Sequence, residues 1–132
     1  MIKISINKKI IIFGFIFTFF SSFGQSFFLG LFNAPMRNEL GITHGQFGNI
    51  YAIATIFSSV LLIWVGKKID EYQIFYYSFF VIILLFLSSL FFSFINSIVF
   101  LAIGIFLMRF SGQGLMSHTS TTTISRFFEK SR

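Results

Sequence analysis

Apolar residues fill four long stretches of the chain, and polar residues gather at their ends. The first stretch runs from Ile10 to Phe32, about 23 residues, enough for one helix to cross a hydrocarbon core of roughly 30 Å. Asn33-Ala34-Pro35 is expected to end that helix, because proline lacks a donor and restricts the residue before it. Met36 to Gly45 then reads as a polar loop, with Thr43 placed to cap the next helix. The second stretch runs from Gln46 to Val65 and closes in the charged turn Gly66-Lys67-Lys68-Ile69-Asp70-Glu71. The third covers Ile74 to Ile95. Asn96-Ser97 makes an uncharged turn into the fourth, Ile98 to Ile124, which is longer than a span needs. The pattern predicts an all-α membrane protein of four transmembrane helices, organised as one unit over residues 1–132.

Helical angles sort the polar residues within these stretches. Gly14, Thr18, Ser21, Ser22, Gln25 and Asn33 share one face of the first helix. His44, Gly48, Tyr51, Thr55 and Ser58 form a stripe on the second, and Arg109, Gln113, Ser117 and Ser120 on the fourth. The third has only scattered serines. Helices one, two and four are therefore expected to turn toward an interior, with the third at the periphery. The Ser, Thr and Gly positions suit close packing between helices. Arg109 is different. A charge in the middle of an apolar span costs several kcal/mol unless a partner or water reaches it, which makes it the leading functional candidate. Its two expected settings are a water- or ligand-facing position and a pairing with a backbone carbonyl. His118 falls about 180° from it on an ideal helix and reads as structural. His44 reads as a solvated residue.

Composition supports the setting. Hydrophobic residues make up 55% of the 132 residues and charged ones only 11%, and phenylalanine occurs 23 times. A soluble domain of this size could not bury so much apolar surface. The net charge of +6 does not indicate nucleic acid, because the basic residues lie at span ends rather than on a polar face. Lys3, Lys8 and Lys9 before an apolar run resemble a signal peptide. The run continues too far for one, and no Ala-x-Ala site follows, so an uncleaved first helix is expected. With no cysteine and two isolated histidines, the chain offers no evident metal, cofactor or enzyme chemistry.

Basic residues also orient the chain. Lys3, Lys8, Lys9, Lys67, Lys68, Arg126, Lys130 and Arg132 fall on one side, and only Arg37 on the other, beside Glu39. Lys and Arg favour the cytoplasm, so both termini are expected there. Trp64, Tyr76 and Tyr77 sit near the same ends, where interfacial aromatics belong.

Four stretches resemble the N-terminal part of a major facilitator superfamily transporter. Gly66-Lys67-Lys68-Ile69-Asp70 matches the glycine and aspartate of that family's G-x-L-a-D-r-x-G-r-r turn, and the later basic residues are absent. Arg109-Phe110-Ser111-Gly112-Gln113-Gly114 is similar to the R-x-x-Q-G-x-G of the fourth helix, with one extra residue before the glutamine. Phe23-Gly24-Gln25-Ser26 and Gly41-Ile42-Thr43-His44-Gly45-Gln46-Phe47-Gly48 resemble further family stretches.

The resemblance implies the first four of twelve helices, with spans one, two and four lining a pathway. It implies a small-molecule substrate, a lipid bilayer as surroundings and a bacterial inner membrane as location. A carboxylate held by Arg109 with Gln113 and Gln25 nearby is the expected site, since a guanidinium grips a carboxylate through two parallel bonds. Gly66 and Asp70 would form a gating turn. No Asp or Glu lies inside a span, so no carboxylate proton relay is expected here. Four helices are too few to enclose an alternating-access route, so the chain is expected to be an incomplete part. It would need the remaining helices or another chain, and be unstable or oligomeric alone. The alternatives are a small four-helix membrane subunit and an oligomeric small multidrug-type transporter. The latter relies on a glutamate in its first helix, where this chain has Thr18 and Gln25.

Overall fold

A computed structural model describes residues 2–129, with side chains from Lys8 onward. The basic residues Lys130 and Arg132 lie outside the described residues, as does the side chain of Lys3. Helices α1 (Ile2–Ser21) and α2 (Ser26–Gly30) form the first span, and α3 (Asn33–Leu40) follows it. Next come α4 (His44–Lys67), α5 (Ile74–Ser93) and α6 (Ile98–Met108). A π-helical stretch, Arg109–Met116, leads without interruption into α7 (Ser117–Glu129). No strand occurs among the described residues. Four helical units are long and apolar enough to cross a membrane.

Half of the stretch expected to be a polar loop, Met36 to Leu40, belongs to α3. Pro35 does not prevent it, because the proline falls in the first turn, where backbone N–H groups have no helical partner anyway. Gly41 ends α3 in a left-handed conformation with φ 65°, which a side chain would oppose. Thr43 then caps α4 as expected. Its hydroxyl accepts from the Gln46 backbone N–H at 3.2 Å, and the Gln46 side chain accepts from Thr43 N–H at 2.8 Å. Two free donors at the helix start are thereby satisfied.

The first span is not the continuous helix expected between residues 10 and 32. A 3-10 turn at Ser22–Gly24 and the extended Gln25 divide it. The Ser21 hydroxyl bonds back to the Thr18 carbonyl at 2.6 Å, a contact that bends helices. Gly24, two residues beyond Ser22, completes the local weakness.

The fourth span occupies the middle of the bundle, and the other three pack around it. Half of it is buried. The third span is therefore not peripheral to the packing. Ser111 on the π stretch bonds Ser88 of α5 at 3.2 Å, and Gly104 of α6 lets Phe92 and Ile95 approach. On the first span, the polar face meets α7. The hydroxyls of Thr18 and Ser120 are 2.9 Å apart, and Ser120 donates to the Gly14 carbonyl at 2.9 Å. These polar contacts join helices whose outer faces, carrying Phe15, Phe57, Phe79 and Phe86, are exposed and suit lipid.

Two apolar clusters fill the interior. Leu29, Phe47, Leu101, Ile105 and Met108 belong to one, and Phe17, Val81, Leu85, Phe110 and Leu115 to the other. Met108 and Phe110 fall on opposite sides of the division, so Arg109 marks the level between them.

Candidate functional site at Arg109

The break in the first span and the π stretch of the fourth meet at two glycines. A Cβ on Gly24 would lie 2.4 Å from the Met108 carbonyl oxygen and from the Gln113 nitrogen, and one on Gly112 would lie 2.6 Å from the Gly24 nitrogen. Backbone therefore touches backbone here, which no other residue type permits.

That contact decides where Arg109 goes. With Gln25 extended, the Gly24 carbonyl has left the helical ladder. Inside a membrane such a group needs another partner. Arg109 supplies it: Nη1 donates to the Gly24 carbonyl at 3.2 Å and, more weakly, to the Ser26 hydroxyl at 3.4 Å. The Cζ carbon stands 5.2 Å from the centre of the Tyr51 ring, a cation–π distance. Tyr51 in turn donates to Ser26 Oγ at 2.8 Å. Only 8% of Arg109 is exposed. Of the two settings expected for this arginine, the carbonyl pairing is present.

It does not use the whole guanidinium. Both hydrogen bonds leave from Nη1, and Nε is buried with no partner among the described residues. Arg109 lines a cavity of about 160 Å³ together with Ser58, Ser59, Leu62, Gln113 and Gly114. In that wall the Gln113 side-chain oxygen is likewise buried and unpartnered.

Gln113 and Arg109 are thus brought together. Gln25 stands at the break itself, one residue from the carbonyl that Arg109 holds, and its side chain makes no capping bond to α2. It is not part of the cavity wall. Tyr51 and Ser26 were not marked as site residues by the sequence. Tyr51 was visible only as one position of a polar stripe, and its place under Arg109 depends on how α4 crosses the fourth span.

At the other end, Asp70 pairs with Arg126 of α7, and Arg126 also reaches the Ile69 carbonyl at 3.5 Å. Lys68 pairs with Glu71 at 2.7 Å. Gly66 is buried beside His118, whose Nε2 bonds the Gly66 carbonyl at 3.0 Å. His118 therefore has a structural partner, but it does not stand opposite Arg109 as an ideal helix would place it: both side chains face α4, because the π stretch between them turns less per residue.

The sequence matches the Major Facilitator Superfamily over residues 2–132. The chain belongs to that family. Major facilitator superfamily proteins are transporters that bind small molecules within the membrane, and this chain is accordingly an integral membrane protein of a transport family. The match does not favour the alternatives of a small multidrug-type transporter or a separate membrane subunit. No curated protein and no solved structure gives a match to the chain. Single turns of π-helix inside α-helices are frequent at functional sites, and the π stretch here begins at Arg109 and contains Gln113.

Proposed function

We propose that the chain forms part of an alternating-access pathway for a small organic anion, with Arg109 as the group that binds it. The supporting observation is the buried, unpartnered Nε of Arg109 beside a cavity. A donor buried without an acceptor costs about 1–3 kcal/mol, which an oxygen of a bound anion would offset. Gln113 supplies a neutral contact from the cavity wall. Gln25 supplies another from the break once a ligand is seated. Further helices, of the same polypeptide or of another chain, complete the pathway around this wall.

Gly66 and Asp70 act as a gating turn in this proposal. Asp70 with Arg126, and Gly66 with His118, tie the turn after α4 to α7. Breaking both ties frees that end to open. The preference of Lys and Arg for the cytoplasmic side supports a cytoplasmic position for this end and for both termini, and the inner membrane of a bacterium is the proposed location.

The test is transport by the full chain with its completing helices, reconstituted in vesicles. Arg109→Lys keeps the charge and removes the planar fork. Saturable uptake of a labelled carboxylate is expected to fall at least about tenfold, the scale of losing a charge-assisted bond. Unchanged uptake by a folded Arg109→Lys protein defeats the proposal.

A further inference from the structure

We propose that the groove between the end of α4 and the start of α5 binds the headgroup of an anionic phospholipid, with Lys68, Tyr72 and Tyr76 holding its phosphate. The inference does not rest on the reading of Arg109. It follows from what the tyrosines of the chain do with their hydroxyl groups and from how charge is distributed at that end.

The chain has four tyrosines. Two have hydrogen-bond partners: Tyr51 donates to Ser26, and Tyr77 to the Val65 carbonyl at 3.1 Å. The hydroxyls of Tyr72 and Tyr76 have none among the described residues. These two side chains are 61% and 64% exposed, and they line one groove with Lys68, Val65, Tyr77 and Phe80. Their hydroxyls are accessible donors that phosphate oxygens can meet. Tyrosine suits the level of the bilayer headgroups, because its ring is apolar and its tip polar. Val65 and Phe80 give the groove an apolar floor, and α5 continues beyond it with the exposed Ile83 and Phe86. A phospholipid uses both parts, with its phosphate at the lysine and tyrosines and an acyl chain along α5. A free phosphate ion leaves the apolar floor unused.

Charge selects among phospholipids. Lys68 Nζ donates to Glu71 at 2.7 Å, which occupies one of the three donors of an ammonium. Both members of that pair are more than half exposed, so it is weak and leaves Lys68 able to bond a second oxygen. Lys67 is exposed beside it. Asp70, the other acid of the turn, is already paired with Arg126. Two lysines therefore stand against Glu71 alone, and the excess attracts a lipid of net negative charge over a zwitterionic one.

The experiment titrates the full chain, with its completing helices, in detergent with phosphatidylglycerol or with phosphatidylcholine of the same acyl chains. Native mass spectrometry reads the affinity for the first lipid bound. Phosphatidylglycerol is expected to bind about fivefold tighter, the scale of one lysine at an anionic surface. Lys68→Gln is expected to abolish that preference and Glu71→Gln to enlarge it. The double change Tyr72→Phe, Tyr76→Phe keeps both rings and is expected to weaken both lipids at least about fivefold, the scale of two hydrogen bonds. Excess inorganic phosphate is expected to displace neither lipid. Equal affinities in the parental protein overturn the proposal, as does a preference that survives Lys68→Gln. Unchanged affinities in the phenylalanine variant overturn the tyrosine contacts, and displacement by inorganic phosphate overturns the lipid as occupant. The parental comparison needs no variant, and the substituted side chains are all exposed, where changes of this kind leave folding almost untouched.

Discussion

At the residue scale, Arg109 shows how a charge can be kept in an apolar setting without a counter-ion. Its cost is met by a carbonyl released from a neighbouring helix and by an aromatic face. Tyr51 is accordingly a positioning residue. Tyr51→Phe keeps the ring and loses only the bond to Ser26, whereas Tyr51→Leu loses the face. We expect the leucine variant to be less stable than the phenylalanine variant by about 0.5–1 kcal/mol, measured by denaturant unfolding in detergent. Asp70→Asn tests a different kind of contact. Both partners of the Asp70–Arg126 pair are substantially exposed, so the substitution is expected to cost no more than about 1 kcal/mol of stability. A transport rate changed well beyond that small loss is the expected mark of gating; an unchanged rate refutes it. Arg109 was legible in the sequence because a lone charge in an apolar run is conspicuous. The nitrogen it leaves without a partner was not, because that depends on which nitrogen meets Gly24.

At the element scale, the breaks carry the site. Gly24 and Gly112 admit no Cβ, while Gly48 in α4 has nothing within 4 Å. Gly24→Ala and Gly112→Ala are therefore expected to destabilise by about 1–3 kcal/mol or more. Gly48→Ala is expected to stabilise by up to about 1 kcal/mol, because alanine is the better helix former. Thermal unfolding of the three variants side by side checks both signs. Thr43→Ala removes half of the capping box and is expected to cost about 1 kcal/mol. The spans themselves were legible, since long apolar runs have one solution in lipid. The Thr43 cap was legible from two side chains at fixed spacing. The break at Gln25 was not, because Ser21 and Gly24 only weaken the helix locally, and the contact that accompanies the break joins Gly24 to Gly112 far along the chain. Nor was α3, whose proline looks like a stop until its place in the first turn is known.

At the scale of the whole molecule, the fourth span is the axis, and orientation becomes the first global test. The chain contains no cysteine, so single cysteines report topology cleanly. Asn38→Cys is expected to react with a membrane-impermeant thiol reagent from outside, and Glu71→Cys only after the membrane is opened; the reverse pattern defeats the proposed orientation. The central place of the fourth span escaped the sequence, because a polar stripe tells which face turns inward but not which helix stands in the middle. The π stretch gives that axis an unusual property. Its flanks are pinned, α6 through Gly104 against Ile95 and α7 through Ser120 against Gly14. Between fixed ends, a wide turn is stored winding. It takes up one residue while both flanking helices keep their phase. Arg109 sits at its first residue. Removing Ser111 would take up that extra residue and leave an ordinary α-helix whose two ends keep their phase. A cysteine pair at Thr18 and Ser120, whose hydroxyls now touch, should therefore still cross-link in the shortened chain.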